Sequence, residues 1–308
     1  MFINLVTKQS VKIHPIRIIC VLFLFLISQN CAAQKKLPQS KDNNTLLWEI
    51  SGKGLKKPSY VFGTFHIMCK EDIRFSENVK QAIKTSKEVY FEMDMDDPKT
   101  MLGGLAMMNM KNKTLADLYT KEEMEKLTKF FKDSIKMSLS FFNKMKPMLL
   151  EALLYPRMMP CKTPSGVETE LMAIAKKEKK EIKGLETMEF QAAVFDSIPY
   201  DVQARALLKD IDSTEKFKIF FNKMLSIYKN QEIDKLSQML ADTTFSGGEN
   251  DDALLKNRNK NWVKQLKTIL KTNNIFMGVG AAHLFGKDGL ITLLRKEGYK
   301  LRGIENKK

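Results

Sequence analysis

Ser59-Tyr60-Val61-Phe62-Gly63-Thr64-Phe65-His66 and Ile275-Phe276-Met277-Gly278-Val279-Gly280-Ala281-Ala282-His283 share one pattern: an apolar run, a glycine, two further residues and a histidine. Each reads as a buried strand that ends in a glycine, where the missing Cβ lets the backbone turn sharply, and presents a histidine just beyond its carboxyl end. Histidine is otherwise scarce. The chain has three, and the third, His14, precedes an apolar export signal. Two imidazoles used alike, more than 200 positions apart, point to one shared site. A lone strand-end histidine is ordinarily a hydrogen-bonded structural residue; the matched pair is what argues otherwise.

Around these two stretches the periodicity alternates between strand and helix. Leu46–Ser51 and Ser59–Thr64 read as a hairpin across Gly52-Lys53-Gly54 and Pro58. Glu77–Lys87 reads as a helix with Val79, Ala82 and Ile83 on one face and Ser76 as its N-cap. Glu88–Met93 is a strand ending in acids, Glu92 first and then Asp94, Asp96 and Asp97. Lys121–Met137, Pro147–Tyr155 and Val167–Lys177 are helical, with Pro147 suited to a first turn. Glu181–Glu186 is a short strand carrying an acid at its end. Val202–Lys229, Glu232–Leu240 and Asp252–Leu270 are helical, with a loop at Phe245–Asn250. Leu290–Lys296 forms a closing helix and Tyr299–Ile304 a last strand. This order predicts an α/β fold: a mixed β-sheet core in two related halves, with a helical insert over about residues 100–180 between them. Many of the nineteen methionines cluster, at 101–110, 137–148 and 158–159. They read as core filler or, more sharply, as a plastic peptide-binding surface.

Composition bounds the function. At 308 residues, 44% hydrophobic and 28% charged, the chain is long enough for a sizeable core and ordinary for a globular protein. Residues 1–33 hold Lys8, Lys12 and Arg17, no acid, and the apolar run Ile18–Ile27, the features of an export signal. Cleavage after Ala33 yields a soluble product; the alternative is a lipid anchor at Cys31. Residues 34–43 are a polar linker, and the folded domain is expected over 44–308. Losing the three basic residues takes the net charge from +15 to +12, which favours acidic peptides or anionic surfaces. The lysines are scattered along amphipathic segments, as at Lys126–Lys136, and no zinc-finger or RNA-binding signature accompanies them, so no nucleic-acid partner is expected. Cys69 and Cys161 remain after either cut. An oxidising compartment makes a disulfide reasonable. Two buried thiols, or Cys69 as a metal ligand three residues after His66, are the other readings.

Sites in α/β sheets gather at strand carboxyl ends. Four polar side chains fall there: His66, Glu92, Glu186 and His283. Two neutral imidazoles and one or two carboxylates suit a divalent metal such as Mn²⁺, Co²⁺ or Zn²⁺, with a spare carboxylate as general base. The same four also permit a metal-free site in which a glutamate polarises a histidine. For Glu92 a plain strand-end acid is the competing reading. No Gly-x-Ser-x-Gly, Walker A, dinucleotide or His-Glu-x-x-His motif occurs.

Ser59–His66, Phe91-Glu92, Gly184-Leu185-Glu186-Thr187 with Gln191, Arg258-Asn259 with Trp262, and Gly278–Leu284 through Gly289 to Gly298-Tyr299 together resemble the TraB/GumN family, which includes the Tiki metalloproteases. The resemblance runs from about Leu46 to Arg302. It implies an erythromycin-esterase-like α/β architecture and a protease dependent on divalent metal, Mn²⁺ or Co²⁺ before Zn²⁺. It further implies that His66, His283 and Glu92 are the functional set, supported by Glu186 and Arg258. Val167-Glu168 stands where the family leads one to expect Val-Asp, a departure that weighs against a role at that position. The family also holds proteins tied to peptide-pheromone shutdown.

Three functions are therefore expected to compete. The first is an exported metal-dependent hydrolase acting on peptides or proteins. In it His66, His283 and Glu92 bind metal; Glu92 serves as ligand or base, Glu186 orients or ligates, and Arg258 holds a substrate carboxylate or oxyanion. The others are a peptide-sequestering protein without turnover and a metal-free His/Glu esterase.

Overall fold

The computed structural model describes residues 36–41, 44–98, 104, 107–240 and 252–307. The expected signal segment, the Cys31 anchor point, Met101 of the first methionine cluster and the Phe245–Asn250 loop lie outside them. Contacts divide the chain into residues 1–37 and residues 38–308, and the larger unit carries the sheet and the site.

The fold is mixed α/β, built on a mixed sheet. Strands β1 (Leu47–Ser51), β2 (Ser59–Thr64), β3 (Met68–Cys69), β4 (Glu88–Met93), β5 (Pro164–Ser165), β6 (Glu181–Glu186), β7 (Ile275–Gly280) and β8 (Lys300–Gly303) follow in chain order. Six of them form one sheet in the order β6-β4-β7-β2-β1-β8, while β3 and β5 make a separate two-stranded ribbon. The first four in that order run parallel; β1 pairs antiparallel with both β2 and β8. Both halves of the chain therefore enter a single sheet.

The two Gly-x-x-His strands are immediate neighbours. β2 and β7 pair in parallel with Gly63 opposite Val279 and Thr64 opposite Gly280. Every residue of both strands is buried, as parallel strands covered on both faces require. One face carries α10 (Asn257–Thr272) and α11 (Leu290–Lys296): Trp262, Val263, Leu266, Leu290 and Leu294 pack on Val61, Met277 and Val279. The other face is covered by α1 (Glu77–Thr85), capped by Ser76, and α5 (Val167–Lys177). Close packing there needs Gly278, whose added Cβ would lie 2.9 Å from Phe91 Cε1 and 3.5 Å from Leu171 Cδ1.

A second core is helical. α2 (Lys121–Phe130), α3 (Pro147–Glu151), α4 (Tyr155–Met158), α7 (Tyr200–Asp212) and α8 (Thr214–Lys229) bury Leu127, Phe131, Leu150, Leu154, Leu207, Phe217 and Phe221 together. The buried methionines Met110, Met158 and Met159 belong to this core, whereas Met137 is exposed. The single helix expected over Val202–Lys229 is two. Thr214 Oγ1 donates to Ile211 O at 2.7 Å, a side-chain bond that competes with the helical ladder, and the backbone breaks at Ser213. The helix expected to reach Met137 instead closes through a wide π turn, Phe131–Ile135, with Lys136 left-handed at φ 63°. The helix expected over Pro147–Tyr155 is likewise two, α3 and α4, and α6 (Met188–Asp196), capped by the Thr187 hydroxyl on Phe190 N, was not foreseen at all. None of the α6 residues is fully buried, and its apolar residues run together rather than at helical spacing, so periodicity does not reveal it. Downstream, α9 (Ile233–Leu240) follows α8 as expected.

Candidate active site

Gly280 is the floor of the site. A Cβ built there would lie 3.2 Å from Glu92 Oε1, 3.5 Å from His66 Nε2 and 3.6 Å from His283 Cδ2. Three side chains from three different strand ends thus converge on a space that only a glycine leaves open. β4 delivers Glu92, the turn after β2 delivers His66, and a single 3₁₀ turn after β7, Ala281–His283, delivers His283. The parallel pairing brings both Gly-x-x-His turns to one edge of the sheet, staggered by one residue, with Gly280 opposite Thr64.

His283 is buried, and its tautomer follows from its neighbour. Asn259 Nδ2 donates to His283 O at 3.2 Å and Asp288 O at 2.9 Å, which turns Asn259 Oδ1 toward His283 Nδ1 at 2.8 Å. Nδ1 therefore carries the hydrogen, and Nε2 presents its lone pair to the site. Burial, with the Arg258 charge, pushes this imidazole down to about 3 against the opposing pull of Glu92. It is neutral at physiological pH.

His66 stands at the mouth, its side chain 72% exposed. Its Nδ1 lies 2.7 Å from Glu168 Oε1, which also accepts from Thr64 Oγ1 at 2.6 Å. Glu168 sits in the first turn of α5, and that helix start is docked on the site by Val167 N donating to Phe65 O at 3.1 Å. Desolvation opposes charging of His66, but the hydrogen bond and charge of Glu168, with Glu92 beyond, raise its affinity for a proton. A carboxylate on Nδ1 that leaves Nε2 facing inward is the usual support of a metal-binding histidine.

Glu92 is held from two sides. Gly280 N donates to Oε1 at 2.8 Å and Arg258 Nη2 to Oε2 at 2.6 Å, while His283 Nε2 lies 3.8 Å from Oε1. Burial favours its neutral form, but the fields of His283, Arg258 and His66 and the Gly280 amide overcome this and pull it down to about 2. It is a fixed anion and a weak proton acceptor near neutrality.

Arg258 lies in the first turn of α10 and has no donor to spare. Nε and Nη2 reach Glu186 at 2.8–3.1 Å, Nη2 also reaches Glu92, and Nη1 reaches Leu254 O at 3.1 Å and His283 Nε2 at 3.2 Å. The expected clamp on a substrate carboxylate is therefore engaged by the protein's own groups. Glu186 is fully buried behind it, accepting as well from Trp262 Nε1 at 2.8 Å and Gln191 Nε2 at 3.2 Å. The structure places Glu186 as the counter-ion of Arg258, with no free oxygen to ligate a metal or take a proton.

The fit of a divalent metal can be judged on these groups. Two imidazole nitrogens and one carboxylate face a cradle that a Cβ would fill, and both imidazoles are oriented through Nδ1. The carboxylates of Glu92, Glu168 and Glu186 outnumber the guanidinium of Arg258, and a divalent ion would take the place of the proton that Glu168 favours on His66. The donor types therefore fit such an ion, and their ligating atoms, not all within 4.8 Å of one another as they stand, would draw together on it. Among the described residues the one group of three donor atoms within 4.8 Å of one another is elsewhere, Cys69, Glu71 and Cys161. Its two sulfurs are joined in a disulfide, with Cα atoms 5.7 Å apart, so the reading of Cys69 as a metal ligand is withdrawn and the expected bridge is present.

Of the residues singled out from sequence, His66, Glu92, Arg258 and His283 come together, and Glu186 stands one layer behind. Glu168, whose departure from the expected aspartate weighed against a role, is the partner of His66. Asn259, Trp262 and Gln191 were part of the recognised motifs, but nothing local in the sequence announces what they touch.

Fold and site together define a class: a mixed α/β protein with a two-histidine, one-carboxylate cradle at the carboxyl ends of adjacent parallel strands. The chain belongs to the TraB/PrgY/gumN family, whose model matches residues 46–303. Among curated proteins it is similar to Metalloprotease TIKI1 of Xenopus tropicalis, 37% identical over 99 residues, which is 30% of this chain and 18% of that protein. It is also similar to Metalloprotease TIKI2 of Danio rerio, 39% identical over 62 residues, covering 20% and 12%. Metalloprotease TIKI1 of Homo sapiens is 40% identical over 65 residues, 21% and 12%. The chain thus spans less than a fifth of the length of these relatives. No solved structure matches it significantly.

Proposed function

We propose that this chain is a divalent-metal-dependent hydrolase that cleaves peptide or protein substrates, Mn²⁺ or Co²⁺ being preferred, and that it acts after export. The observation that carries the reading is the convergence of Glu92 Oε1, His66 Nε2 and the His283 ring over Gly280. Partial similarity to proteins named metalloproteases points the same way. Substrate class and preferred ion come from the family resemblance, and export from the composition of residues 1–33.

In this reading His66 Nε2, His283 Nε2 and Glu92 hold the ion. When bound, it supplies Lewis acidity toward a carbonyl and acidifies water. The chain's own residues do the rest. Asn259 keeps the proton on His283 Nδ1, so Nε2 stays a donor of electrons. Glu168 does the same for His66. Arg258 keeps Glu92 ionised and in place, and Glu186 with Trp262 keeps Arg258 planar against the site. The exposed side of His66 is the substrate's way in. Glu92 is assigned as ligand because its Oε1 faces the Gly280 cradle beside His66 Nε2 and the His283 ring.

The test is metal content and cleavage of a peptide library by purified protein, before and after chelation. Stoichiometric metal, with cleavage lost on chelation and in His66→Ala and His283→Ala, is the expected result. Glu92→Gln should lose metal as well as turnover; retention of metal with turnover down roughly 100-fold or more would make it the base instead. The Glu168–His66 hydrogen bond favours one alternative, a metal-free site using His66 as an acid. Chelator-resistant cleavage would establish that reading and end the metal one.

A further inference from the structure

We propose that Arg258 is a resident stand-in for the metal ion: its guanidinium occupies the His283 lone pair when the ion is absent and must yield it when the ion binds. The proposal rests on the metal reading above. Because Asn259 holds the hydrogen on Nδ1, Nε2 is the only atom of His283 that can ligate, and it has one in-plane lone pair. Arg258 Nη1 donates into that lone pair at 3.2 Å. Guanidinium and ion therefore compete for one electron pair.

The same contacts explain why the protein would keep a cation there. Glu186 is fully buried and Glu92 nearly so, and an anion so shielded from water is strongly disfavoured without a partner. Arg258 neutralises the pair through its Nη2, which reaches both. It can also retreat without leaving. Nε and Nη2 stay on Glu186, and the guanidinium lies over the Trp262 ring, 4.9 Å from its centroid. Only Nη1 need let go of His283. In the structure all five guanidinium N–H groups are engaged, so Arg258 has nothing to offer a substrate. Once Nη1 is displaced, one N–H is released beside the cradle, where a substrate carbonyl oxygen can accept it. Arg258 thus withholds its donor until the site is loaded.

The experiment titrates MnCl₂ into chelator-stripped full-length protein by calorimetry, in the native chain, Arg258→Lys, His66→Ala and His283→Ala. Lysine keeps the charge opposite Glu186 but cannot reach Glu92, Glu186 and His283 together. Arg258→Lys is expected to bind Mn²⁺ roughly tenfold or more tightly, the scale of one charge-assisted hydrogen bond, and to melt at lower temperature when stripped. Native-chain NMR of arginine guanidinium protons, with ZnCl₂ as a diamagnetic probe, needs no variant. The Arg258 Nη1 signal should shift or exchange faster on loading while Nε–H persists. Equal or weaker Mn²⁺ binding by a folded Arg258→Lys, or an Nη1 signal unmoved by Zn²⁺, overturns the proposal. If at the same time His66→Ala and His283→Ala abolish binding, the metal reading survives it. If the native chain binds neither ion, both fall.

Discussion

At the scale of single residues, the site depends on what is absent at Gly280 and on a partner that sequence reading passed over. Gly280→Ala is allowed by its backbone, φ −47°, yet its methyl would press on Glu92 Oε1 and His66 Nε2. It is expected to fold with a stability loss of about 1–3 kcal/mol, the range for overpacking, while ion binding measured by calorimetry collapses. Glu168→Gln should weaken Mn²⁺ binding by roughly 10–100-fold, the range for an outer-shell partner, without changing the circular dichroism spectrum. An unchanged affinity would make Glu168 a structural residue only. The histidine pair was legible because a rare residue recurred in a repeated local pattern. Glu168 was not, because its role is a contact with a residue 102 positions away, and it stands where a shorter aspartate was expected. Arg258 was noticed, but its partners were not. A lone arginine in a sequence looks like an anion clamp, and its five internal partners appear only when β4, β6, β7 and α10 are assembled.

At the scale of elements, strands were read well and helix ends poorly. A buried parallel strand such as β7 announces itself as a continuous apolar run. The Ser213 break and the Phe131–Ile135 π turn depend on side-chain bonds and packing that periodicity does not encode. The packing of α3 on α7 carries a prediction of its own. Glu151 is buried beside Asp210 and accepts from the Tyr155 hydroxyl at 2.8 Å. Burial and the Asp210 charge raise Glu151 to about 7, against the Tyr155 hydrogen bond. The folded state thus binds a proton there that the unfolded chain releases near its ordinary value. This contribution is full below the ordinary carboxylate range and is lost as pH rises to about 7. Stability by urea titration should fall between about pH 5 and 7 by up to about 3 kcal/mol. Glu151→Gln should flatten that slope and exceed the native chain in stability at pH 8. An identical pH profile in the variant would refute the assignment.

At the scale of the molecule, a disulfide clip ties the helical core to itself next to the first histidine turn. Cys69 and Cys161 both pack in that core, and their bridge links β3, which follows His66, to the segment leading into β5. β3 follows His66 and β5 precedes Glu168, with Met68 opposite Ser165, so the ribbon sets the two hydrogen-bonded partners in register. Cys161→Ser should cost about 2–4 kcal/mol in urea titration, since the bridge closes a loop of 92 residues. Full stability in the variant would show the clip to be idle. The cysteine pair could be named from the sequence, but their meeting could not, because pairing depends on how the helical insert folds back. The clip also decides what one cut in the backbone can do. A protease that nicks the chain anywhere between Cys69 and Cys161 leaves two pieces still tied together, with His66 on one and Glu168 on the other. On a gel such nicked protein runs as a single band until a reducing agent is added, and only then as two.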